Sequence, residues 1–336
     1  MWSLSLSAVA SPGAQVLSSG KIPMTKPIGF LFPGQGAQFV GMGKDLYAES
    51  PAARELYKKA DEILGYAISQ ICFAGPENEL TRTLYAQTGI LVTSLAALAA
   101  LREKIPELTP SIVAGLSLGE FTALTVSGAI SFEDALKLVQ VRAEAMEDAA
   151  KNNPGTMAFV MGLTIEQCMA VAQEAGCEVA NLNAPDQTVL SGTLQSIEQA
   201  CKIAEAKGAK RAMPLKVGGA FHSLLMGEAK VRLEAALAHT LIHEPKCAFI
   251  PNVTAQRVSN PEEIRSLLAK QLTSSVQWVR TMATAKESGV TTYLEIGPGK
   301  ILKGLARKCQ PELEVFSFGA MADMKGLETL TLLAKS

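Results

Sequence analysis

Gly115-Leu116-Ser117-Leu118-Gly119 places a serine between two glycines, where the apolar run Ser111-Ile-Val-Ala114 gives way to a helix-forming one over 120–127. A serine at a strand-to-helix turn is held in a strained backbone conformation, its hydroxyl pushed outward and helix N–H groups nearby to bind an oxyanion. That arrangement suits a nucleophile. The same spacing also suits a tight structural turn, so the residues able to serve the hydroxyl carry the argument. A serine needs a base, and the chain has 3 histidines: His222, His239 and His243. His222 follows Gly218-Gly-Ala-Phe221, at a junction where a loop and an incoming helix can bring it to a cleft. The other two read as residues of a surface helix. His222 is therefore the candidate base.

Arg142 is the next residue out of place. The segment Ser131-Phe-Glu-Asp134 reads as a capping box that opens a helix. The inward stripe of that helix runs Ala135, Leu138, Val139, Arg142, Ala145, Met146 and Ala149 at three-and-four spacing. A guanidinium on a core stripe needs an anion, and its fork suits a carboxylate held by two parallel hydrogen bonds. That anion is either a ligand carboxylate or a structural ion-pair partner, and both readings stay open at this stage. Two glycine turns complete the set. Pro33-Gly34-Gln35-Gly36 ends the apolar run Ile28-Gly-Phe-Leu-Phe32, and its backbone N–H groups are free to approach a ligand. Glu295-Ile-Gly-Pro-Gly-Lys300 resembles a phosphate cradle but lacks the spacing of a P-loop or dinucleotide fingerprint, so a structural turn is expected. His239 and His243 are four apart and could face one way on a helix. No third ligand is evident, so an ordinary helix end is expected and no metal site.

The elements that must position these residues alternate. Helical patterns over 52–64 and 87–104 interleave with the strands at 28–32 and 111–114, and further strands are expected over 247–253 and 292–296. Such alternation predicts an α/β fold with a largely parallel sheet. After Asn152-Asn-Pro-Gly155 the texture changes. Strand-like 157–162, helical 164–175, strand-like 179–183 and 188–191, helical 194–207 and strand-like 211–217 follow in the order β-α-β-β-α-β, which is that of a ferredoxin-like unit. The predicted division is a small inserted ferredoxin-like domain over 152–217 within a large domain built from 24–151 and 218–336. An extension over 1–23 is excluded from the fold.

Composition narrows the function classes. At 336 residues and 48% hydrophobic content the chain buries one large core, or a main core and a smaller inserted one. Lys plus Arg number 31 against 32 for Asp plus Glu, so no global field recruits nucleic acid or an anionic membrane. The 6 cysteines include no C-x-x-C pair and read as reduced, mostly buried thiols of an intracellular protein. Residues 1–23 are apolar and serine-rich, with one lysine and no acidic residue. They read as an upstream extension or a short targeting peptide, without the basic start of a secretory signal. No apolar run is expected to span a membrane.

Taken in order, Phe32-Pro-Gly-Gln-Gly36, Gln87, Gly115-Leu-Ser-Leu-Gly-Glu120, Arg142, Gly219-Ala-Phe-His222, Gln271 with Val276-Gln-Trp278, and Glu295-Ile-Gly-Pro-Gly-Lys300 carry a resemblance. The chain resembles the malonyl-CoA:acyl-carrier-protein transacylases of dissociated fatty-acid synthesis and the acyltransferase domains of polyketide synthases, from about residue 28 to 308. The resemblance implies a large α/β-hydrolase-like domain with the small ferredoxin-like insert. It implies Ser117 as the acyl-accepting nucleophile, His222 as its base, and the backbone N–H groups of Gln35 and Leu118 as the oxyanion hole. Arg142 would pair with the free carboxylate of malonyl, Gln87 would line the site, and Gln271 would orient the histidine through its backbone carbonyl. Phe221 matches malonyl-using rather than methylmalonyl-using members.

One residue departs from the pattern. Most members carry histidine where this chain has Leu116, which puts local packing and rate in question but not the base. The implied reaction is a ping-pong transfer from malonyl-CoA to the phosphopantetheine thiol of an acyl carrier protein, with coenzyme A as part of the substrate and no further cofactor. A monomer in the cytoplasm is implied, or in the plastid stroma if 1–23 belong to a targeting peptide. The rival readings are a serine hydrolase or thioesterase, a trans-acting polyketide-type acyltransferase, and a non-catalytic carrier-binding scaffold. The identity of the acyl acceptor separates the hydrolase from the transferases, and malonyl labelling separates all of them from the scaffold.

Overall fold

Five short apolar segments supply the main sheet, and the runs of Val, Ile, Leu and Phe in them are what a parallel strand covered on both faces requires. A computed structural model of the chain describes residues 27–327, so the expected extension over 1–23 lies outside the described residues. The strands are β1 (Ile28–Phe32), β2 (Ile112–Gly115), β3 (Gly155–Met161), β4 (Glu178–Ala184), β5 (Gln187–Thr193), β6 (Arg211–Pro214), β7 (Ala248–Ile250), β8 (Thr292–Ile296) and β9 (Glu314–Phe318). The main sheet runs β7-β2-β1-β8-β9, and every pairing in it is parallel. β1, β2 and β8 are buried along their whole length. Because the strands are parallel, their carboxyl ends share one edge. The turns after β1, β2 and β7 therefore open on the same side, where open α/β sheets bind ligands.

The second sheet, β4-β5-β3-β6, is antiparallel throughout. Its two faces separate by the two-residue period of a strand. Ala158, Val160 and Leu190 join the helices Ile165–Ala175 and Leu194–Ala206 in a core of their own. Met157, Phe159 and Val189 point the other way, into a cleft against the main sheet. Main chain ties the small sheet to the segment just before the helix Trp278–Glu287: Leu182 N–H donates to Val276 O at 2.9 Å and Val276 N–H to Ala180 O at 2.8 Å. The architecture is thus a parallel α/β unit with a ferredoxin-like antiparallel sheet, as the alternation of elements predicts.

Several expected boundaries move. The helix expected over 87–104 is Thr83–Lys104, buried on nearly all sides. It is long and apolar enough to cross a membrane by composition, which corrects the expectation that no run would be, but 83% of its apolar window is buried in the protein. The strand expected over 211–217 stops at Pro214, whose ring removes a ladder donor. That expected over 247–253 is only Ala248–Ile250. The strand β9 and the helices Lys44–Glu49, Ile68–Ala74, Pro261–Gln271 and Trp278–Glu287 are additions to the sequence reading. Ser131 caps Asp134 N–H at 3.1 Å, yet its hydroxyl donates to the Asp134 carboxylate at 2.8 Å. Only half the expected capping box forms there, since aspartate is a methylene shorter than the glutamate that reaches back to the cap. The complete box is at Thr164 and Gln167. Three of the six free cysteines are buried and three only partly so, fewer than expected.

Candidate active site

β2 runs into the turn Gly115-Leu-Ser-Leu-Gly119 with no room to spare. A Cβ on Gly115 would lie 1.9 Å from the Gly119 carbonyl carbon, and one on Gly119 would lie 2.1 Å from the Phe32 carbonyl oxygen. Both glycines are therefore demanded by backbone packing. Between them Ser117 takes φ 53°, in the left-handed region that costs a non-glycine residue about 1–3 kcal/mol. His222 takes φ 59° in the loop that leads to Leu224–Met226 and the helix Gly227–Ala238. The serine Oγ and His222 Nε2 are 2.8 Å apart.

The imidazole is oriented without a carboxylate. His222 Nδ1 lies 2.9 Å from the Gln271 carbonyl oxygen, which can only accept, so the proton sits on Nδ1 and Nε2 is free to take the serine proton. Gln271 is the last residue of the helix Pro261–Gln271, whose final carbonyls have no intrahelical partner. The negative end of that helix faces the ring, a partial substitute for an aspartate. Burial first, and the Arg142 charge second, push His222 down to about 4, with the Gln271 carbonyl opposing them. The imidazole is thus neutral, and able to accept a proton, across the physiological range.

Arg142 is fully buried on the stripe where the spacing put it. Its Nη2 donates to Ser117 Oγ at 2.9 Å and to Gln271 Oε1 at 2.9 Å, and its Nη1 donates to Gln87 Oε1 at 2.6 Å. Nε has no hydrogen-bond partner among the described residues, and no carboxylate there lies within ion-pair distance of the guanidinium. The structural ion-pair reading left open by the sequence is not what the geometry contains. Glu120 is linked to the guanidinium through Gln271 and does not pair with it directly: Gln271 Nε2 donates to Glu120 Oε2 at 2.6 Å and to Ser117 O at 3.0 Å. Burial pushes the Glu120 carboxyl up to about 8, against the donors of Asn252 and Gln271 and the charge of Arg142. Burial likewise lowers Arg142 to about 10, and Glu120 opposes that fall.

A cleft of about 290 Å³ between the two sheets opens onto Ser117 and His222. Gln35, Gln87, Leu116 and Phe221 line it, with Met146 and the small-sheet residues Met157 and Phe159. Gln87 Nε2 reaches Gln35 Oε1 at 3.1 Å. Leu118, Arg142 and Gln271 have no exposed surface and stand behind this lining. The backbone N–H groups of Gln35 and Leu118 have no acceptor among the described residues, whereas the Ser117 N–H is bound to Asn252 Oδ1 at 2.6 Å. Asn252 and the bridging role of Glu120 are what the sequence reading missed. The available signal for Asn252 is a polar residue just beyond an apolar strand, at the carboxyl edge where parallel sheets place their sites.

Elsewhere the candidates stay apart from this network. His239 caps the end of the helix Gly227–Ala238 and His243 lies in the loop beyond, so they do not share a helix face as the spacing allowed. Among the described residues no group of three or more His, Cys, Asp or Glu could hold a metal ion. The turn Gly297-Pro-Gly299 is structural: the Glu295 carboxylate accepts from Leu302 N–H at 2.9 Å and Lys303 N–H at 3.0 Å, occupying the helix start that a phosphate would use.

Residues 29–318 match the family described as the acyl transferase domain. The chain belongs to that family. Among acyl transferase relatives it is 41% identical, over 306 residues, to the malonyl CoA-acyl carrier protein transacylase of Bacillus subtilis (strain 168), covering 90% of this chain and 95% of that one. Among solved acyl transferase structures, the acyl-carrier-protein S-malonyltransferase of Burkholderia pseudomallei 1710b is 39% identical with a TM-score of 0.86, covering 89% of this chain and 98% of that chain. A malonyl-transacylase solved in complex with its type II PKS acyl-carrier protein is 34% identical with a TM-score of 0.86, covering 90% of this chain and 100% of that chain.

Proposed function

We propose that this chain transfers malonyl from coenzyme A to the phosphopantetheine thiol of an acyl carrier protein, with Ser117 carrying the acyl group between the two thiols. His222 Nε2 removes the Ser117 proton as Oγ bonds to the thioester carbonyl carbon. The negative charge that develops on the carbonyl oxygen is met by the N–H groups of Gln35 and Leu118. The C–S bond then breaks, and the departing coenzyme A sulfur takes the proton from His222. In the second half His222 deprotonates the carrier thiol, whose sulfur attacks the malonyl ester carbonyl; the C–Oγ bond breaks and His222 returns the proton to Ser117 Oγ. Every proton that His222 takes it gives back, so the cycle needs no net exchange with solvent.

The observation that carries this reading is the buried Arg142 guanidinium at 2.9 Å from the nucleophile oxygen, with no carboxylate partner of its own. A cation so close to the reacting oxygen suits an acyl group whose free carboxylate is only two bonds from the thioester carbonyl carbon, which is malonyl. A longer diacid would carry its carboxylate past the guanidinium, and an uncharged acyl group would leave it unmatched. We place this activity in an aqueous compartment, cytoplasm or plastid stroma, and divide the chain into a large part, 24–151 with 218–336, and a small part, 152–217, that roofs the cleft. The relatives that carry the same activity name support both the reaction and the carrier protein as acceptor.

The test is a two-step intact-mass measurement. Mixing with malonyl-CoA should give a malonyl adduct that persists in buffer and is discharged by holo carrier protein with appearance of malonyl-carrier. Discharge to free malonate at the same rate with and without carrier would make the protein a hydrolase instead.

A further inference from the structure

Asn252 is buried and follows β7 by two residues. Both ends of its side-chain amide are spent on the nucleophile turn. Oδ1 accepts the Ser117 N–H at 2.6 Å, and Nδ2 donates to the Gly115 carbonyl at 2.7 Å. One side chain thus grips the peptide groups on either side of Leu116, the residue where this chain departs from its family's usual histidine. The backbone N–H of Asn252 donates in turn to Glu120 Oε1, while Glu120 Oε2 accepts from the Gln271 amide that also holds the Ser117 carbonyl. Nucleophile turn, base-orienting glutamine and Asn252 are therefore one connected unit. Connected buried networks with every member satisfied hold a single geometry.

The turn that presents Asn252 is itself over-determined. Ala255 takes φ 53°, with its N–H donated to Pro251 O at 2.9 Å and its carbonyl accepting from Thr284 Oγ1 at 2.7 Å. Ser117, His222 and Ala255 are the non-glycine residues with positive φ among the described residues. Backbone strain thus falls on the nucleophile, the base and the loop that connects to them. Strained residues persist only where their surroundings fix them. For Ser117 the fixing contacts are the Asn252 amide below and the Gly115 and Gly119 backbone at the sides.

We propose that Asn252 is a positioning residue of the transfer reaction. It keeps Ser117 in the left-handed conformation that aims Oγ at His222, and it withdraws the Ser117 N–H from the site so that only the Gln35 and Leu118 N–H groups face the oxyanion. This rests on the reading of Ser117 as nucleophile. A residue acting this way should affect bond making far more than binding, because it touches neither the acyl group nor Arg142.

The experiment compares Asn252→Ala and the isosteric Asn252→Asp with wild type, each in the full chain and each first checked for folding by melting and near-ultraviolet circular dichroism. Two quantities are read: kcat and KM for malonyl transfer, and the rate of Ser117 labelling by a fluorophosphonate, which needs the nucleophile and oxyanion donors but offers Arg142 no carboxylate. For Asn252→Ala both kcat and the labelling rate should fall together by about a hundredfold, the scale on which small misplacements of reacting groups act, with KM within about threefold of wild type. Asn252→Asp keeps the acceptor for the Ser117 N–H and should recover part of both losses. If the alanine variant does not fold, the aspartate variant decides by the same two readouts, with a loss of about tenfold expected. A folded variant with wild-type kcat and labelling rate, or one whose loss lies in KM alone, overturns the proposal. Wild-type protein left unlabelled at Ser117 would instead remove the nucleophile assignment beneath it.

Discussion

Arg142 Nη2 donates a hydrogen bond to the hydroxyl oxygen of Ser117 across 2.9 Å. On the proposed reading, a cationic donor rests on the oxygen that becomes the nucleophile. The contact leaves the serine proton for His222, since the guanidinium can only donate and Oγ accepts from it with a lone pair. It also places the charge where a short acyl carboxylate would arrive once Oγ bonds to the carbonyl carbon. On that reading, specificity and reactivity meet at one oxygen.

Replacing Arg142 by alanine should separate the two. Removing one partner of a buried charge pair costs about 3–5 kcal/mol, so malonyl transfer should fall more than about a hundredfold by the same arithmetic. Acetyl transfer, which offers no carboxylate, should lose far less or gain. The check is the ratio of kcat/KM for malonyl-CoA and acetyl-CoA in the folded variant. Equal losses for both substrates would make Arg142 a structural residue.

The pH dependence follows from the depressed His222. Burial first, and the neighbouring Arg142 charge second, disfavour protonation, so the acid limb of kcat/KM for wild type should lie near 4, with full activity from about pH 5 upward. Arg142→Gln removes the second of these causes and leaves the burial, so the limb should move upward part of the way toward the ordinary histidine value. Stability has the matching sign. A histidine whose folded pKa is depressed contributes stability above about 6.5 that is lost as pH falls through about 4. His222→Gln should flatten that part of the melting-temperature curve relative to wild type. An acid limb that stays in place in Arg142→Gln would contradict the electrostatic account.

Carrier docking has a charge prediction. Lys207, Lys210 and Arg211 border the small sheet, and Lys303, Arg307 and Lys308 lie on the helix Ile301–Cys309, whose Ile301 and Leu305 line the cleft. Lys207 is paired with Glu174 and Lys308 with Asp186, whereas Arg211 and Arg307 are exposed and carry no ion pair among the described residues. Exposed charges act mainly on association rate. Arg211→Glu with Arg307→Glu should lower kcat/KM for an acidic carrier and flatten its salt dependence, with Ser117 malonylation from malonyl-CoA nearly unchanged. If both half-reactions slow together, or neither does, docking lies elsewhere.

Much of the fold was legible because its signals are local. The order of strand-like and helical segments over 157–217 announces the ferredoxin-like unit, and the interleaved strands and helices before it announce the parallel sheet. The stripe carrying Arg142 follows from helix periodicity alone, and the glycines around Ser117 from a turn with no space for side chains. The illegible part is the part made by distance along the chain. Asn252 lies 135 residues from the Ser117 N–H that it binds, and Gln271 lies 129 from Arg142. Those contacts exist only because β7 pairs with β2 and the helix Pro261–Gln271 ends against their carboxyl edge, a relation that no spacing pattern encodes. The missing half of the Ser131 box turned on a single methylene.

The central claim is that Ser117 carries malonyl between two thiols. Its most direct test is a rapid-quench single turnover with malonyl-CoA followed by peptide mapping, on wild type and on Ser117→Ala. The account predicts malonyl on the peptide containing Ser117, formed and then discharged to holo carrier protein at rates that match turnover, and no adduct in a Ser117→Ala protein that folds like wild type. An adduct that persists in Ser117→Ala, or wild-type turnover faster than any Ser117 adduct forms, would contradict it.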